Sequence, residues 1–277
     1  MRVVIFLYLM FASLPGKSQA TWTWVHGDNT PYNLGTYGMQ GFPLPSNKPG
    51  SRQRATSWTD KDGNFWLFGG LGYSSNASSQ YLNDLWKYDP LTNMWTWVSG
   101  SNTGNSNGSY GTKGQASITN MPGARYEGGS WVDNNGNLWL FGGYGYATGP
   151  TPQFMNDLWK FDINTNLWTW ISGDNVINSP SVPGTKGVPS TNNKPGARYG
   201  GGVWKDLSGN LWLLGGKGYS SLLAGDLNDL WKYNIITNEW TWIGGDDGIN
   251  ITGAYGIKHL SSPVNAPGSR MKASCWE

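Results

Sequence analysis

The hydrophobic and polar residues of this chain alternate with a period of two over short stretches. In LWTWIS, residues 167–172, Trp168 and Trp170 are two positions apart, so both side chains leave the same face of an extended segment. Turn-forming Asn, Asp and Gly residues separate such stretches. This pattern predicts short antiparallel strands. One unit of the chain predicts four of them: strand a at 125–133, strand b at 138–143, strand c at 156–162 and strand d at 167–172.

The four-strand unit recurs along the chain at an almost fixed spacing. The tripeptide WTW begins at Trp22, Trp95, Trp168 and Trp240, so successive copies are 73, 73 and 72 residues apart. Double glycines and Asn-Asp pairs follow the same spacing. A period kept by several landmarks indicates a repeat architecture and outranks local propensity. The complete units span 50–98, 123–171 and 196–243, while residues 21–25 match a lone strand d and residues 268–277 match the start of a further unit.

The sequence of each unit resembles the Kelch motif. In the second unit the residues are GGYGY, at 142–146, followed by NDLWKFDINTNLWTW, at 156–170. The double glycine, the tyrosine and the tryptophan that closes the outer strand are features of this motif. The resemblance covers residues 21–277 and implies an all-β fold, a β-propeller of four-stranded Kelch-type blades. The repeats are similar to the galactose oxidase central-domain-like repeats of secreted bacterial proteins.

The number of blades bears on whether a ring can close. Closed propellers typically have four or more blades, so three complete blades with partial strands at both ends should not form a ring. We therefore expect the sequence to be a fragment of a larger propeller of six or seven blades. A complete but open arc is the alternative, and it would expose the faces of its terminal blades.

Composition and the N-terminus narrow the classes of function. Residues 1–20 combine Arg2, an apolar stretch and a small-residue tail, which predicts a signal peptide and a secreted, cell-surface or periplasmic protein. Without Arg2 and Lys17, 17 basic residues remain against 17 acidic ones. A near-neutral chain without a basic run gives no electrostatic basis for nucleic-acid binding.

No later segment is apolar enough to span a membrane. The single cysteine, Cys275, allows no internal disulfide.

The 18 tryptophans could form a sugar-stacking platform or a packed β core. Every one of them falls on a repeated position, with five in each complete blade. A residue that is present in every blade most simply serves the blade, whereas a single binding site should break the repeat. We therefore assign the tryptophans to the core, where burial of each ring contributes on the order of 2–3 kcal/mol.

Other repeated polar residues have a structural and a ligand-binding interpretation. An arginine opens each innermost strand; these are Arg52, Arg125, Arg198 and Arg270. They could form an anion-binding ring, but the fastening of a loop to carbonyl groups of the same blade is favoured. The Asn-Asp pairs are expected to cap the b–c loops. The turns DKDGN, at 60–64, and DNNGN, at 133–137, lack the acidic residue that completes an EF-hand, so they are interpreted as hairpin turns and no metal site is expected.

The ligand site is expected where the repeat is broken on the face that carries the long b–c and d–a loops. Variable loops on a rigid scaffold are a common place for binding. The positions that break the repeat are Arg54, Glu127, Gly200 and Lys272 two places after the arginines, Leu71, Tyr144 and Lys217 after the double glycines, and His259 in place of a loop glycine. The candidate binding residues are Arg54, Glu127, Lys272, Tyr144, Lys217 and His259. An ordinary surface role is the alternative for each of them.

Three functions are compatible with the sequence. The first is a non-catalytic binding or scaffold module for a protein or carbohydrate, without a cofactor. The second is a galactose oxidase-type enzyme, which the resemblance ties to a copper ion held by two histidines and two tyrosines, one of them crosslinked to a cysteine. The third is an enzyme similar to sialic acid epimerases, which would need an arginine, a glutamate and a histidine at the channel. With only His26 and His259 in the chain, the binding module is favoured.

Overall fold

The computed structural model describes residues 22–76 and 78–275, and the predicted all-β fold class is confirmed in them. No helix of these residues is long and apolar enough to cross a membrane. The predicted signal peptide and Trp276 lie outside the described residues. The strands are β1 (Arg52–Gln53), β2 (Thr56–Thr59), β3 (Phe65–Tyr73), β4 (Ser79–Asp89), β5 (Met94–Ser99), β6 (Ala116–Ser117), β7 (Arg125–Tyr126), β8 (Gly129–Val132), β9 (Leu138–Gly145), β10 (Gln153–Asp162), β11 (Leu167–Ser172), β12 (Arg198–Tyr199), β13 (Gly202–Lys205), β14 (Leu211–Tyr219), β15 (Ala224–Asn234) and β16 (Glu239–Gly244).

Three antiparallel sheets correspond to the three predicted blades. In the first sheet the strand order is β1-β3-β4-β5, and β2 pairs with the same strand β3 as β1 does. The third sheet repeats this order as β12-β14-β15-β16, with β13 paired to β14. The second sheet has the order β7-β9-β10-β11, with β8 on β9 and β6 added beyond β11. Each blade is therefore a four-stranded meander whose innermost strand is in two pieces.

The division of the innermost strand differs from the continuous strand a that the sequence pattern predicts at 125–133. Between β7 and β8, Glu127 has a φ of 53°, and the equivalent Arg54 and Gly200 have φ values of 58° and 64°. A left-handed residue cannot continue the pleat of a strand, so the ladder with the next strand is interrupted there.

The two end segments form no strand within the described residues. Residues 22–25 carry no ladder, and Trp22 and Trp24 are exposed. Residues 268–275 likewise carry no ladder, although Lys272 has a φ of 56°, as the innermost strands do at this position. Residues 268–275 contact the third blade through single backbone bonds, such as the one from the Arg270 amide to the Leu227 carbonyl at 2.9 Å, and these bonds do not extend into a ladder.

The long d–a loops cover the outer edges of the blades. Strand β6 lies in the loop between the first and second blades and pairs with β11, the outermost strand of the second blade. Isolated bridges between Leu44 and Trp95 and between Ser190 and Trp240 repeat this contact on the other two blades. The d–a loops also contact the b–c loops: the Ser75 amide donates to the Asn102 carbonyl at 3.1 Å, and the Gly108 amide donates to the Ala147 carbonyl at 2.8 Å. Covering these edges protects them from pairing with other chains.

The core consists of aromatic rings that pack between successive blades. Phe68 of the first blade meets Trp168 of the second, with ring centroids 5.7 Å apart. Phe141 of the second blade meets Trp240 of the third in the same way, at 5.5 Å. Trp159 is fully buried, like its counterparts in the other blades. These contacts place Trp159, Trp168 and Trp240 in the core, whereas the predicted core assignment is wrong for Trp22 and Trp24, which are exposed.

A buried ion pair connects the strands of each blade. The Arg125 guanidinium donates to both carboxylate oxygens of Asp157, at 2.6 and 2.7 Å, and to the carbonyl oxygens of Gly123 and Gly142. The Tyr110 hydroxyl of the preceding d–a loop donates to the same carboxylate at 2.8 Å. Burial, and then the charge of Asp157, raise the pKa of Tyr110 well above its usual range, so the phenol stays protonated. Arg52, Arg125 and Arg198 thus fasten their own blades, whereas Arg270 is exposed and its side chain donates to the Gly268 carbonyl.

The Asn-Asp pair differs from the expected loop cap. Its aspartate is occupied by the arginine, and its asparagine clamps the two ends of the d–a loop. The Asn156 side-chain oxygen accepts from the Asp174 amide at 3.0 Å, and its amide nitrogen donates to the Pro195 carbonyl at 3.3 Å. The b–c loop takes no part in these bonds.

The DNNGN turn is closed by its own first residue. The Asp133 carboxylate accepts from the amides of Asn135 and Asn137 and from the Trp139 indole. These donors occupy both carboxylate oxygens, in keeping with a hairpin turn.

We predict that Asp157→Asn strongly destabilises the protein. The substitution leaves the fully buried Arg125 without its counter-charge, which typically costs about 3–5 kcal/mol. Denaturant unfolding measures this loss. Asp62→Asn, at a side chain that is 65% exposed in a hairpin turn, is the control and should change the free energy of unfolding by less than about 0.5 kcal/mol. Equal stability of the two variants would contradict a structural role for the pair.

Candidate functional site on the axial face

Three charged candidate residues from different blades meet at the centre of the loop-rich face. The Glu127 Oε1 atom lies 2.8 Å from the Lys272 Nζ atom and 3.5 Å from the Arg54 Nε atom. We call Arg54, Glu127 and Lys272 the axial cluster. They occupy the equivalent position in the first blade, the second blade and the partial fourth unit, and Gly200 occupies it in the third blade.

Backbone hydrogen bonds bring these equivalent positions together. The Glu127 amide donates to the Arg54 carbonyl at 3.0 Å, the Gly200 amide to the Glu127 carbonyl at 3.1 Å, and the Lys272 amide to the Gly200 carbonyl at 2.6 Å. Each bond joins one blade to the next near the propeller axis. The left-handed conformation turns the amide of each residue toward the preceding blade, so this conformation is kept at all four positions.

The side chains at these positions are retained against a conformational cost. A non-glycine residue in the left-handed region is disfavoured by roughly 1–2 kcal/mol, and glycine avoids that cost. Of the four equivalent positions, only Gly200 avoids the cost, whereas Arg54, Glu127 and Lys272 have long charged side chains. Strained residues of this kind are concentrated at functional sites. The backbone strain is therefore an argument for function that does not depend on the ion pairs.

The axial cluster exposes positive charge around one buried carboxylate. The side chains of Arg54 and Lys272 are 42% and 52% exposed, whereas that of Glu127 is only 13% exposed. The Glu127 Oε2 atom is buried and has no hydrogen-bond partner among the described residues. Two cations face solvent, and one oxygen of the carboxylate between them is buried without a partner among the described residues.

A row of side chains next to the axial cluster differs from blade to blade. Ladder pairing aligns one residue from each of the three inner strands, and we call these nine residues the variable row. They are Gln53, Leu71 and Tyr81 in the first blade, Tyr126, Tyr144 and Phe154 in the second, and Tyr199, Lys217 and Asp226 in the third. The adjacent positions on the central strand are glycines in every blade, for example Gly143 and Gly145. The glycines are thus the same in every blade, whereas the side chains of the variable row differ between blades in size, polarity and charge.

The aromatic members of the variable row pack against each other and against the axial cluster. The Tyr126 ring stacks on the rings of Tyr81 and Tyr144, with centroids 5.6 and 5.5 Å apart. The Arg54 guanidinium carbon lies 5.2 Å from the centre of the Tyr126 ring. All three tyrosines are half-buried. The cationic residues and the rings therefore form one continuous surface.

Two tyrosines of this surface, Tyr81 and Tyr126, have raised pKa values. Burial, followed by the neighbouring Tyr81 and Tyr199, raises the pKa of Tyr126 to about 12. Burial and the neighbouring Tyr144 also raise the pKa of Tyr81. Within residues 22–76 and 78–275, the hydroxyl groups of Tyr81, Tyr126 and Tyr144 have no hydrogen-bond partner. The hydroxyl groups of Tyr81 and Tyr126 remain protonated at physiological pH and can donate to a ligand.

The six candidate binding residues predicted from the sequence do not all lie at one place in the structure. It brings Arg54, Glu127 and Lys272 together, and it places Tyr144 and Lys217 on the variable row. His259 is exposed in the last loop with a φ of 68°, and none of its described contacts reaches the axial cluster.

Sequence reasoning missed four aromatic residues of this surface: Tyr81, Tyr126, Phe154 and Tyr199. The sequence did contain a signal for these residues, because equivalent repeat positions carry different side chains: Gln53 corresponds to Tyr126, and Tyr81 corresponds to Asp226.

Comparisons with known proteins give short or distant similarities. No protein-family model matches the chain. The N-acetylneuraminate epimerases of Shigella flexneri serotype 5b and Escherichia coli K12 are each 48% identical over 46 residues, which is 17% of this chain. The match spans only 12% of the length of these curated relatives. The solved structure of YjhT is 20% identical, with a TM-score of 0.47 over 73% of this chain and 54% of that one.

The conformational cost at the axial cluster can be measured directly. Arg54→Gly and Arg54→Ala remove the same charge, but only glycine relieves the left-handed strain. We predict that Arg54→Gly is more stable than Arg54→Ala by about 1 kcal/mol in denaturant unfolding. At Gln53, an ordinary strand residue, the order should be reversed, because glycine weakens strands. The same order at both positions would contradict the strain.

Proposed function

We propose that the protein is an exported, non-catalytic binding module that holds an acidic carbohydrate on the axial cluster and the adjacent rings of Tyr81, Tyr126 and Tyr144. The observation that carries this proposal is the meeting of repeat-breaking charged residues with unpartnered phenol groups at one place. Glycine positions around them fix the frame, and the ligand chemistry is confined to side chains that differ between blades. Export rests on the predicted signal peptide.

The axial cluster has the groups that an acidic sugar requires. A guanidinium can hold a carboxylate through two parallel hydrogen bonds, and an ammonium can add a third. The exposed Arg54 and Lys272 therefore fit the carboxylate of the sugar. The Glu127 carboxylate holds the Lys272 ammonium at 2.8 Å beside Arg54, and the hydroxyl groups of Tyr81 and Tyr126 can donate to ring oxygens.

A catalytic function of epimerase type is the second candidate, and the short match to N-acetylneuraminate epimerases favours it. Glu127 would then move a proton at the sugar ring. The arginine and the glutamate of the expected set are together, but within the described residues no histidine joins them. His26 packs against Tyr88 instead, with ring centroids 6.2 Å apart. The binding module is therefore preferred.

A copper oxidase of galactose oxidase type is not supported by the donor residues. The expected set needs two histidines near each other and near tyrosines. No three His, Cys, Asp or Glu residues of the described ranges are grouped so that they could hold a metal. Cys275 lies against Gly202, an inner-strand residue beyond the axial cluster. We derive no chemistry through copper.

Titration calorimetry with N-acetylneuraminic acid, galacturonic acid and galactose tests the proposal. We expect the two acids to bind and galactose to bind at least tenfold more weakly. Arg54→Ala and Lys272→Ala should each weaken acid binding about tenfold or more, because each removes one charge-assisted hydrogen bond. Lys61→Ala is the matched control, since Lys61 is 67% exposed in a hairpin turn of the opposite face.

Two results would count against the proposal. Equal binding of galactose and the acids would contradict recognition of the carboxylate. Accelerated exchange of the anomers of N-acetylneuraminic acid in NMR spectra, if abolished by Glu127→Gln, would establish the epimerase-type activity and overturn the non-catalytic role.

A further inference from the structure

The aromatic surface continues past the axial cluster onto the third blade. The Tyr199 ring lies 5.8 Å from that of Tyr126 and 6.1 Å from that of Tyr144, measured between centroids. It also stacks on Phe154 at 5.7 Å. A connected series of rings therefore leads from the first blade to the third.

The chemistry of the surface changes at the end of this series. Lys217 stands where the first two blades have Leu71 and Tyr144, and Asp226 stands where they have Tyr81 and Phe154. Lys217 is exposed and Asp226 is half-buried. The surface thus ends in a cross-strand pair of opposite charge that the other two blades lack.

The charged groups of this pair are not used within the described residues. Lys217 and Asp226 are ladder partners, yet no ion pair joins their side chains or joins Lys217 to another described residue. The Asp226 Oδ1 atom is buried without a hydrogen-bond partner, in the same way as the Glu127 Oε2 atom. Each end of the aromatic surface therefore offers an exposed cation beside an unpartnered carboxylate oxygen.

Tyr199 separates the two ends of the aromatic surface. Tyr199 lies between them, because it pairs with Lys217 in the ladder and precedes Gly200, which borders Glu127 and Lys272. Neighbouring strands are about 4.8 Å apart, which places the Lys217 backbone one strand beyond Tyr199. A pyranose ring on Tyr126 would still leave the Tyr199 ring and Lys217 free.

We propose that Lys217, Asp226 and Tyr199 form a second subsite, and that the ligand is an acidic oligosaccharide that extends from the axial cluster onto the third blade. Lys217 binds the carboxylate of the second acidic unit, Asp226 accepts a bond from one of its hydroxyls, and Tyr199 contacts the sugar between them. The inference rests on the proposed function, because the first acidic unit occupies the axial cluster.

Calorimetry with galacturonic acid and trigalacturonic acid tests the second subsite. The full chain should bind the trimer at least tenfold more tightly than the monomer. Lys217→Leu, which installs the residue that the first blade has at Leu71, should weaken trimer binding about tenfold and leave monomer binding unchanged. Lys61→Leu is the matched control and should change neither. Because Lys217 is exposed, the unfolding midpoint of Lys217→Leu should equal that of the unsubstituted chain.

The outcomes separate this inference from the proposed function. Equal affinity of the unsubstituted chain for trimer and monomer would overturn the second subsite. The same trimer affinity in Lys217→Leu and in the unsubstituted chain would overturn it as well. In both cases, binding of the monomer would still support the axial site. Equal weakening of monomer and trimer places Lys217 in the first subsite and overturns the extended ligand. No binding of either acid overturns both. The methyl ester of the trimer has no carboxylate charge, so the unsubstituted chain and Lys217→Leu should bind it equally. A difference between the two proteins would contradict recognition of the carboxylate by Lys217.

Discussion

The buried arginine–aspartate pair is the interaction on which each blade depends. Arg125 lies at the start of the innermost strand, and Asp157 lies on the third strand of the blade. Between them they also engage two glycine carbonyls, a loop tyrosine and the Trp159 indole. The innermost strand has only two short pieces of ladder, so without the ion pair it would be weakly attached. The pair sets where this strand begins, and the residues that follow it reach the axis in register.

In this register the backbone near the axis joins neighbouring blades, and the side chains there are not needed for that contact. Two residues after each arginine, the amide is committed to a bond with the preceding blade, whatever the side chain is. The side chain points away from this bond and does not contribute to the core. Charged groups can gather there because the glycines of the neighbouring strand let the backbones approach closely and the aromatic core holds the blades at fixed spacing.

Much of the fold was predictable from the sequence, because the repeat and the two-residue alternation report on ladders and buried faces. The break in strand a was not predictable in this way, since Arg54 and Glu127 are not residues that normally signal a left-handed turn. The path of the d–a loop was missed for a related reason: its contact with the outer strand of the next blade joins distant parts of the sequence. Comparison of the blades identified the axial cluster, but Tyr126 and Tyr199 went unnoticed because they resemble each other and differ only from Gln53.

The left-handed position near the axis also has a consequence for the evolution of such proteins. A new blade arises by duplication of an old one, and it inherits this position with its backbone bond already formed. Replacement of the side chain there alters neither the ladder nor the core, and a codon for glycine is one nucleotide away from codons for arginine and glutamate. Each copy can therefore acquire or lose a charge at the centre of the molecule by a single point mutation, so ligand preference can diverge between lineages while the scaffold stays the same.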